Sequence, residues 1–440
     1  MDPPHTLIIG AGIFGLSTAF HLALRDPRHA SRITILDRAP APSAPAASTD
    51  LNKIVRADYS SPLYMELGFG AISAWKEPPF RDFYHQTGWV MMDEEDSDLA
   101  ERVRANFRAC GREEGIADLT EDEVRSKWGG LLNDTDYTGF GRYYFNATAG
   151  WADAGAAVAR LAEEVVKMGV RYRVAEVEGI IPGDGGVQGV QLKNGQVCSA
   201  DRVLLCTGAW TSAVMSFVED VLDLDPEDRI ENQVTAAGVC VAHVQLTDEE
   251  REKYSQLPVY VYGANGMIPP SCSPVYYHLT RPGEVIPPTA SGILKFTNAT
   301  SFKNTVVTQT GHLISVPPLD SQLAVPRCLQ EEALQQLRAR LPRVVDNGRQ
   351  VDYFRLCWDS VSPNQQPLIT RHPDARLGNL YLAVGGSFHC WKFLPVIGRY
   401  VANVLDGASN GPEKDQAWQW KRTAQTARGV HEKVMPQRDL

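Results

Sequence analysis

The stretch Leu7-Ile8-Ile9-Gly10-Ala11-Gly12-Ile13-Phe14-Gly15 decides the fold. It opens as an apolar run, which reads as a buried parallel strand. It then turns through Gly-x-Gly-x-x-Gly into Leu16-Ser17-Thr18-Ala19-Phe20-His21-Leu22-Ala23-Leu24, an apolar-rich helix. Gly10 permits the tight turn, Gly12 lets backbone approach a pyrophosphate, and Gly15 lets the helix pack close to the strand. The pyrophosphate belongs at the helix N-terminus, where unpaired N–H groups and the dipole favour negative charge. A second strand, Ile33-Thr34-Ile35-Leu36, ends in Asp37, placed to bind an adenosine ribose hydroxyl. An acid there favours FAD or NAD over NADP, whose additional phosphate it would repel. The glycine pattern alone also fits an ordinary turn; strand, helix, second strand and terminal acid in order predict a dinucleotide.

The chain of 440 residues is long enough for two domains with sizeable cores. Its 43% hydrophobic and 22% charged residues fit an ordinary globular protein. A formal net charge of -10 argues against broad nucleic-acid binding, which wants a basic face. No uninterrupted apolar run approaches the roughly 20 residues of a membrane span, so no membrane partner is expected. The first strand starts at Thr6 or Leu7, leaving no room for a signal peptide. The eight cysteines are scattered without a Cys-x-x-Cys pair, which predicts neither a structural metal nor a disulfide framework. An intracellular, reducing compartment is the expectation.

Further along, residues 39–49 form a low-complexity Ala/Pro/Ser loop expected to run over the surface. It delivers Asp50-Leu51-Asn52-Lys53-Ile54-Val55-Arg56, with two cations. Helices are predicted over 64–75, 96–114, 151–169 and 329–341, and strands over 87–92, 170–177, 233–244, 353–357 and 380–384. Asn194-Gly195 is the preferred two-residue turn for a hairpin over 188–198. Thr247 and Glu250 form a capping box. Arg202-Val203-Leu204-Leu205-Cys206-Thr207-Gly208-Ala209-Trp210 is a buried strand entering a glycine turn, which suggests that the nucleotide domain is split. Gly385-Gly386-Ser387-Phe388-His389-Cys390-Trp391-Lys392 is another glycine turn, followed by a closing helix over 396–405.

Residues 7–37, 202–210 and 379–405 together resemble the D-amino-acid-oxidase-type FAD fold, in which discontinuous pieces hold one flavin. Within it the chain is similar to the monomeric sarcosine oxidase group and its fungal relatives, the fructosyl amino acid oxidases (amadoriases) and the L-pipecolate and saccharopine oxidases. The more specific pieces are Asp50-Leu51-Asn52-Lys53, Ala149-Gly150-Trp151-Ala152, Leu356-Cys357-Trp358-Asp359 and Phe388-His389-Cys390-Trp391-Lys392-Phe393-Leu394-Pro395. The resemblance implies an α/β fold: a Rossmann-like FAD domain from residues 1–80, 150–230 and 345–440, and a mixed-sheet substrate domain from 81–149 and 231–344. It implies FAD held by Gly10, Gly12, Ile13, Phe14, Gly15, Asp37, Arg38, Ser48, Asn52, Lys53, Val174, Thr207, Gly208, Trp210, Gly386, Phe388, His389, Trp391 and Lys392. Cys357 occupies the family's thioether position, with Cys390 as a nearby rival; on composition alone either is one more buried thiol.

Lys392 matches the family lysine that grips the substrate carboxylate, and Lys53 and Arg56 match two cations near flavin and substrate. Either of those two could instead be a structural ion pair. Lys295 matches the lysine that speeds reaction with O2, where a fixed cation stabilises developing negative charge. The activity implied is oxidation of a carboxylate-bearing secondary amine, an N-alkyl or cyclic amino acid such as pipecolate or saccharopine. A hydride passes to the flavin, the imine product hydrolyses, and O2 returns as hydrogen peroxide. Alternatives are a fructosyl amino acid oxidase, a dehydrogenase with another acceptor, or a non-catalytic FAD-binding relative. Amadoriases carry an acidic residue shortly after the lysine matching Lys295, whereas this chain has Thr297-Asn298-Ala299, which counts against a fructosyl substrate. Phe388, His389 and Trp391 suggest an aromatic wall, with His389 a candidate proton carrier. The segment 266–284 is read as a pocket wall or a surface loop. The partners expected are a small-molecule amine and O2, for a monomer or weak oligomer. Lacking the peroxisomal Ser-Lys-Leu ending, the chain is expected in the cytoplasm.

Overall fold

The computed structural model describes residues 3–263, 282–318, 321–422, 436 and 438–440. Its first sheet has six strands in the order Leu368–Arg371, Leu380–Val384, Arg202–Leu205, Thr6–Ile9, Ile33–Asp37, Arg171–Val174. All neighbours are parallel except the Leu368–Arg371 edge. Thr6–Ile9 is completely buried at its centre, as an apolar run flanked by strands on both sides requires. Its chain continues to one side through the helix Ile13–Arg25 to Ile33–Asp37, while Arg202–Leu205 pairs on the other side. That reversal leaves a crevice at the carboxyl ends of the strands, the usual ligand position of a doubly wound sheet.

The helix Ala154–Lys167 covers this sheet with a stripe of Ala157, Val158, Leu161, Ala162 and Val165, all buried against the helix Ile13–Arg25. Each Val or Leu so placed contributes about 1.5–3 kcal/mol. The helix starts later than the periodicity predicts. Trp151 lies in the strand Gly150–Asp153, which hydrogen-bonds to Asn52–Val55 and to Tyr84–His85. Long-range pairing has overridden the local helical pattern there.

The second large sheet has eight strands, in the order Tyr353–Val361, Thr235–Gln245, Ile293–Phe302, Gly283–Ile286, Val259–Tyr262, Trp89–Asp93, Arg142–Asn146, Ile116–Asp118. Tyr353–Val361, placed by sequence in the cofactor half, is hydrogen-bonded into this sheet. It therefore carries Cys357 on the eight-stranded sheet. The small sheet of Asn52–Val55, Gly150–Asp153 and Tyr84–His85 brings Lys53 alongside. The predicted charged helix is shorter than its sequence span, at Leu99–Ala109, and Asp248–Tyr254 opens on the Thr247–Glu250 capping box. Of the segment 266–284, residues 266–281 lie outside the described residues.

Candidate active site

Two cavities meet at a shared wall of Lys53, Cys357, Phe388 and Trp391. The first, about 1100 Å³ and open to solvent, runs from Asp37, Arg38 and Trp210 past the glycine turn to Cys357 and Gly386. Gly10 has φ +105°, and a Cβ there would stand 2.4 Å from the Cys206 carbonyl oxygen. At Gly15 a Cβ would fall 1.9 Å from the Gly10 carbonyl oxygen, so helix and turn can meet only without side chains. The helix N-cap is Gly12, which has no side chain of its own to cap it. Ser48 accepts a hydrogen bond from the Ile13 N–H at 3.1 Å, and Asp37 accepts from the Ala11 N–H at 2.8 Å. The Arg38 guanidinium lies 4.5 Å from the Trp210 ring centre, closing the far end. A cradle of bare backbone, a helix N-terminus and an acid at the second strand's end fit the ribose and pyrophosphate of a dinucleotide.

The low-complexity loop 39–49 does not run over the surface as expected. Ser43, Pro45, Ala46, Ala47 and Ser48 line the first cavity. Arg355 holds the loop in place by donating to the carbonyls of Thr49, Ala44 and Ala46. A guanidinium from a distant strand supplies the order that composition cannot reveal.

The junction is built from strained backbone. Ser387 and Phe388 both occupy the left-handed region, with φ +48° and +60°, conformations that cost non-glycine residues about 1–3 kcal/mol each. They are held there by hydrogen bonds. Asp359 accepts from the Phe388 N–H at 2.8 Å, Ser360 Oγ accepts from the Gly385 N–H at 2.7 Å, and the Ser360 carbonyl accepts from the Ser387 N–H. The strain turns Phe388 into the wall that both cavities share. Cys357 is 2% exposed, with Sγ 3.8 Å from Lys53 Nζ.

The second cavity, about 1400 Å³, is bordered by Arg56, Lys53, Lys295 and Lys392. Asp50 lies between two of these cations. Its Oδ2 is 2.5 Å from Lys295 Nζ and 3.0 Å from Lys53 Nζ, and Lys295 also donates to the Asn52 carbonyl at 2.9 Å. Burial alone would raise the Asp50 carboxyl, but Lys295 and Lys53 hold it well below the usual range. Burial would likewise lower Lys53, yet the Cys357 sulfur and Asp50 reverse the sign and raise it.

Lys392 is placed differently. It is 4% exposed and donates to the Tyr59 hydroxyl at 2.8 Å and the His389 carbonyl at 2.6 Å. Burial, reinforced by Arg56, pulls its ammonium well below the ordinary lysine range. The Arg56 guanidinium sits 4.9 Å from the Tyr59 ring centre and 4.7 Å from that of Trp89, and donates to the Asp58 carbonyl. His389 is no proton carrier near neutrality. Burial and then Lys392 push its imidazole down to about 3, and Nε2 is spent on the Gln365 carbonyl at 2.8 Å.

The structure gathers Gly10, Gly12, Ile13, Phe14, Asp37, Arg38, Ser48, Lys53, Thr207, Gly208, Trp210, Cys357, Gly386, Phe388 and Trp391 around the first cavity. His389, Lys392, Arg56 and Lys295 border the second. Val174 is not brought in: it is 53% exposed at the sheet edge, and Ala175, Glu176 and Val177 form the wall instead. Asn52 is also outside both linings, its side chain donating to the Pro287 carbonyl. Cys390 is buried one residue beyond His389 and lines neither cavity.

Sequence reading missed Asp50, Tyr59 and Asp58 as residues of the second cavity, and covered Glu284 only as the end of the segment read as a pocket wall or a surface loop; Pro282, Gly283 and Glu284 line the cavity. Glu284 faces Thr297 across the pairing of Gly283–Ile286 with Ile293–Phe302, and accepts a hydrogen bond from its hydroxyl at 3.1 Å. An acid absent from the strand bearing Lys295 is thus supplied by its neighbour. Only strand register could have revealed it. Among the described residues no group of three or more His, Cys, Asp or Glu side chains is placed to hold a metal, and no helix is long and apolar enough to cross a membrane.

The family model described as FAD dependent oxidoreductase (DAO) matches residues 5–404. L-saccharopine oxidase of Schizosaccharomyces pombe is 28% identical over 94% of this chain and 92% of its own length. An amino acid oxidase of Aspergillus flavus, imqH, is 24% identical over 93% of this chain and 94% of its own. Among solved structures, the deglycating fructosamine oxidase Amadoriase II of Aspergillus fumigatus superposes with a TM-score of 0.79 at 27% identity, covering 96% of this chain and 90% of its own.

Proposed function

The chain belongs to the FAD-dependent oxidoreductase family, and from that premise we propose that it is an oxidase of carboxylate-bearing secondary amines, N-alkyl or cyclic amino acids. The observation that carries this reading is the cation-lined second cavity, which shares Lys53, Cys357, Phe388 and Trp391 with the dinucleotide cavity. Bound in the first cavity, FAD supplies acceptance of a hydride equivalent and delivery of its electrons to O2, giving hydrogen peroxide. Cys357 is the proposed thioether anchor, since among the described residues it is the cysteine that lines both cavities.

Arg56 and Lys392 fix the substrate carboxylate, which aims the adjacent α-C–H at the shared wall. Arg56 suits this because a guanidinium can hold a carboxylate through two N–H groups. Phe388, Trp391 and Trp89 exclude water and strengthen that charge pairing. Lys295, 1% exposed and clamped by Asp50, is a fixed positive charge for the negative charge that develops on O2. The proposed division of labour assigns residues 1–80, 150–230 and 345–440 to the cofactor, apart from the strand Tyr353–Val361 that pairs into the eight-stranded sheet, and 81–149 and 231–344 to the substrate.

Glu284 favours a second reading, oxidation of fructosyl amino acids, because it places a carboxylate where a polyol hydroxyl could donate. The two readings separate by anaerobic flavin reduction with pipecolate, N-methyl aromatic amino acids, sarcosine, saccharopine and fructosyl-glycine, followed by O2 and a peroxide assay. The first reading expects an N-alkyl or cyclic amino acid to be the fastest reductant, with one peroxide per turnover. Fructosyl-glycine as the fastest would establish the second reading. No reduction by any of them would refute both.

A further inference from the structure

The four cations of the second cavity are not equivalent. Lys53 and Lys295 share the Asp50 carboxylate at 3.0 and 2.5 Å. Arg56 keeps its charge whatever its surroundings, because a guanidinium does not deprotonate in proteins. Among the described residues, Lys392 and Arg56 are both buried with only neutral groups in hydrogen-bond contact, and of the two only the lysine can shed its charge. A buried cation without a counter-charge is expensive, and a lysine escapes the cost by releasing its proton.

The hydrogen bonds around it run in one direction. His389 Nε2 faces the Gln365 carbonyl at 2.8 Å, so that nitrogen must carry the hydrogen. Nδ1 is then an acceptor, and the Tyr59 hydroxyl 3.1 Å away must donate to it. The Tyr59 oxygen is left to accept from Lys392, as does the His389 carbonyl. Those two acceptors use two N–H groups, all that a neutral amine has, and leave its lone pair for the cavity. Among the described residues, the other charged or titratable groups facing Lys392 are accounted for. Arg56 on the neighbouring segment repels its positive charge. Asp58 there and Glu284 from the eight-stranded sheet attract it without making an ion pair. Tyr59, and Tyr64 of the helix Pro62–Trp75, stay protonated, as does Cys390.

We propose that Lys392 is the proton acceptor of this site, taking the ammonium proton of a zwitterionic substrate and then pairing, as an ammonium, with that substrate's carboxylate. This rests on the function proposed above. One N–H bond of the substrate ammonium breaks and one forms at Nζ, so the proton moves, no electron is transferred and total charge is conserved. The substrate nitrogen recovers its lone pair, which an amine needs before its α-C–H can leave as hydride. Arg56 cannot perform this step; it holds the carboxylate throughout.

The test uses oxidised holoenzyme and two ring compounds of one shape: pipecolate, and tetrahydropyran-2-carboxylate, in which oxygen replaces the ring N–H. Calorimetric titration of the second compound in buffers of differing ionisation enthalpy counts protons. Wild type should take up close to one proton per carboxylate bound. Its affinity should fall about tenfold per pH unit above the Lys392 pKa, while the half-saturation for flavin reduction by zwitterionic pipecolate stays level there. Lys392→Arg, a permanent cation, should still bind the carboxylate with uptake near zero; if that variant does not fold, the wild-type count alone decides. Carboxylate binding to wild type with no proton uptake would overturn the proposal and leave the proposed function standing. Failure of both compounds to bind would overturn the two together.

Discussion

Replacing Lys295 by Met separates the two half-reactions if its charge serves O2. Among the described residues, Lys295 Nζ hydrogen-bonds to Asp50 Oδ2 at 2.5 Å and the Asn52 carbonyl at 2.9 Å. Removing one member of a buried ion pair ordinarily strands the other and costs about 3–5 kcal/mol. Here Asp50 keeps Lys53 at 3.0 Å, so the loss reduces to a donor for the Asn52 carbonyl, about 1–3 kcal/mol. The methionine stem refills most of the volume, and a folded, yellow holoprotein is expected. If the charge contributes roughly 3–4 kcal/mol to electron transfer to O2, reoxidation slows by about two to three orders of magnitude. Stopped-flow mixing of pre-reduced protein with oxygenated buffer measures that rate, and anaerobic mixing with substrate measures flavin reduction, which should change by less than about threefold. Equal slowing of both would rule out the role in O2 reduction and make Lys295 a substrate-binding or structural group.

Two further outcomes follow from the buried charges. Asp50→Asn leaves Lys53 and Lys295 without their shared carboxylate and should destabilise the fold by about 3–5 kcal/mol in denaturant titration. Because the Asp50 pKa is depressed on folding, its contribution is present above the unfolded value of about 3.9 and lost as pH falls through the folded one. Variant and wild type should therefore converge only in strong acid. His389 has its pKa lowered to about 3, so the unfolded state binds the extra proton between about 6.5 and 3 and stability falls as pH drops through that window. His389→Gln should remove an acid sensitivity on the order of 3–5 kcal/mol, measured as a flatter melting temperature between pH 6.5 and 4. An unchanged slope would mean that another group titrates there.

Local pattern made the nucleotide half legible. The apolar run at Leu7, the glycine turn and Asp37 each specify their own neighbourhood, and they lie where their spacing puts them. The Thr247 capping box likewise encodes its helix within four residues. The substrate half depends on partners far away in sequence. Trp151 is a strand residue because Ile54 and His85 pair with it. The Ala/Pro/Ser loop is ordered because Arg355, some 300 residues on, donates to its carbonyls. Glu284 enters the second cavity through the register that sets it beside Thr297, and Asp50 joins two lysines separated by more than 240 residues. His389 could be singled out by its residue type, but its fixed tautomer needed the Gln365 carbonyl.

A flavin carried by Cys357 at the meeting of the two cavities is tested most directly by acid precipitation of the purified protein. A thioether survives denaturation, so the pellet should stay yellow. Trypsin should release the peptide Leu356–Arg371 with the mass of one flavin attached at Cys357. All of the colour in the supernatant, with that peptide at its unmodified mass, would contradict it.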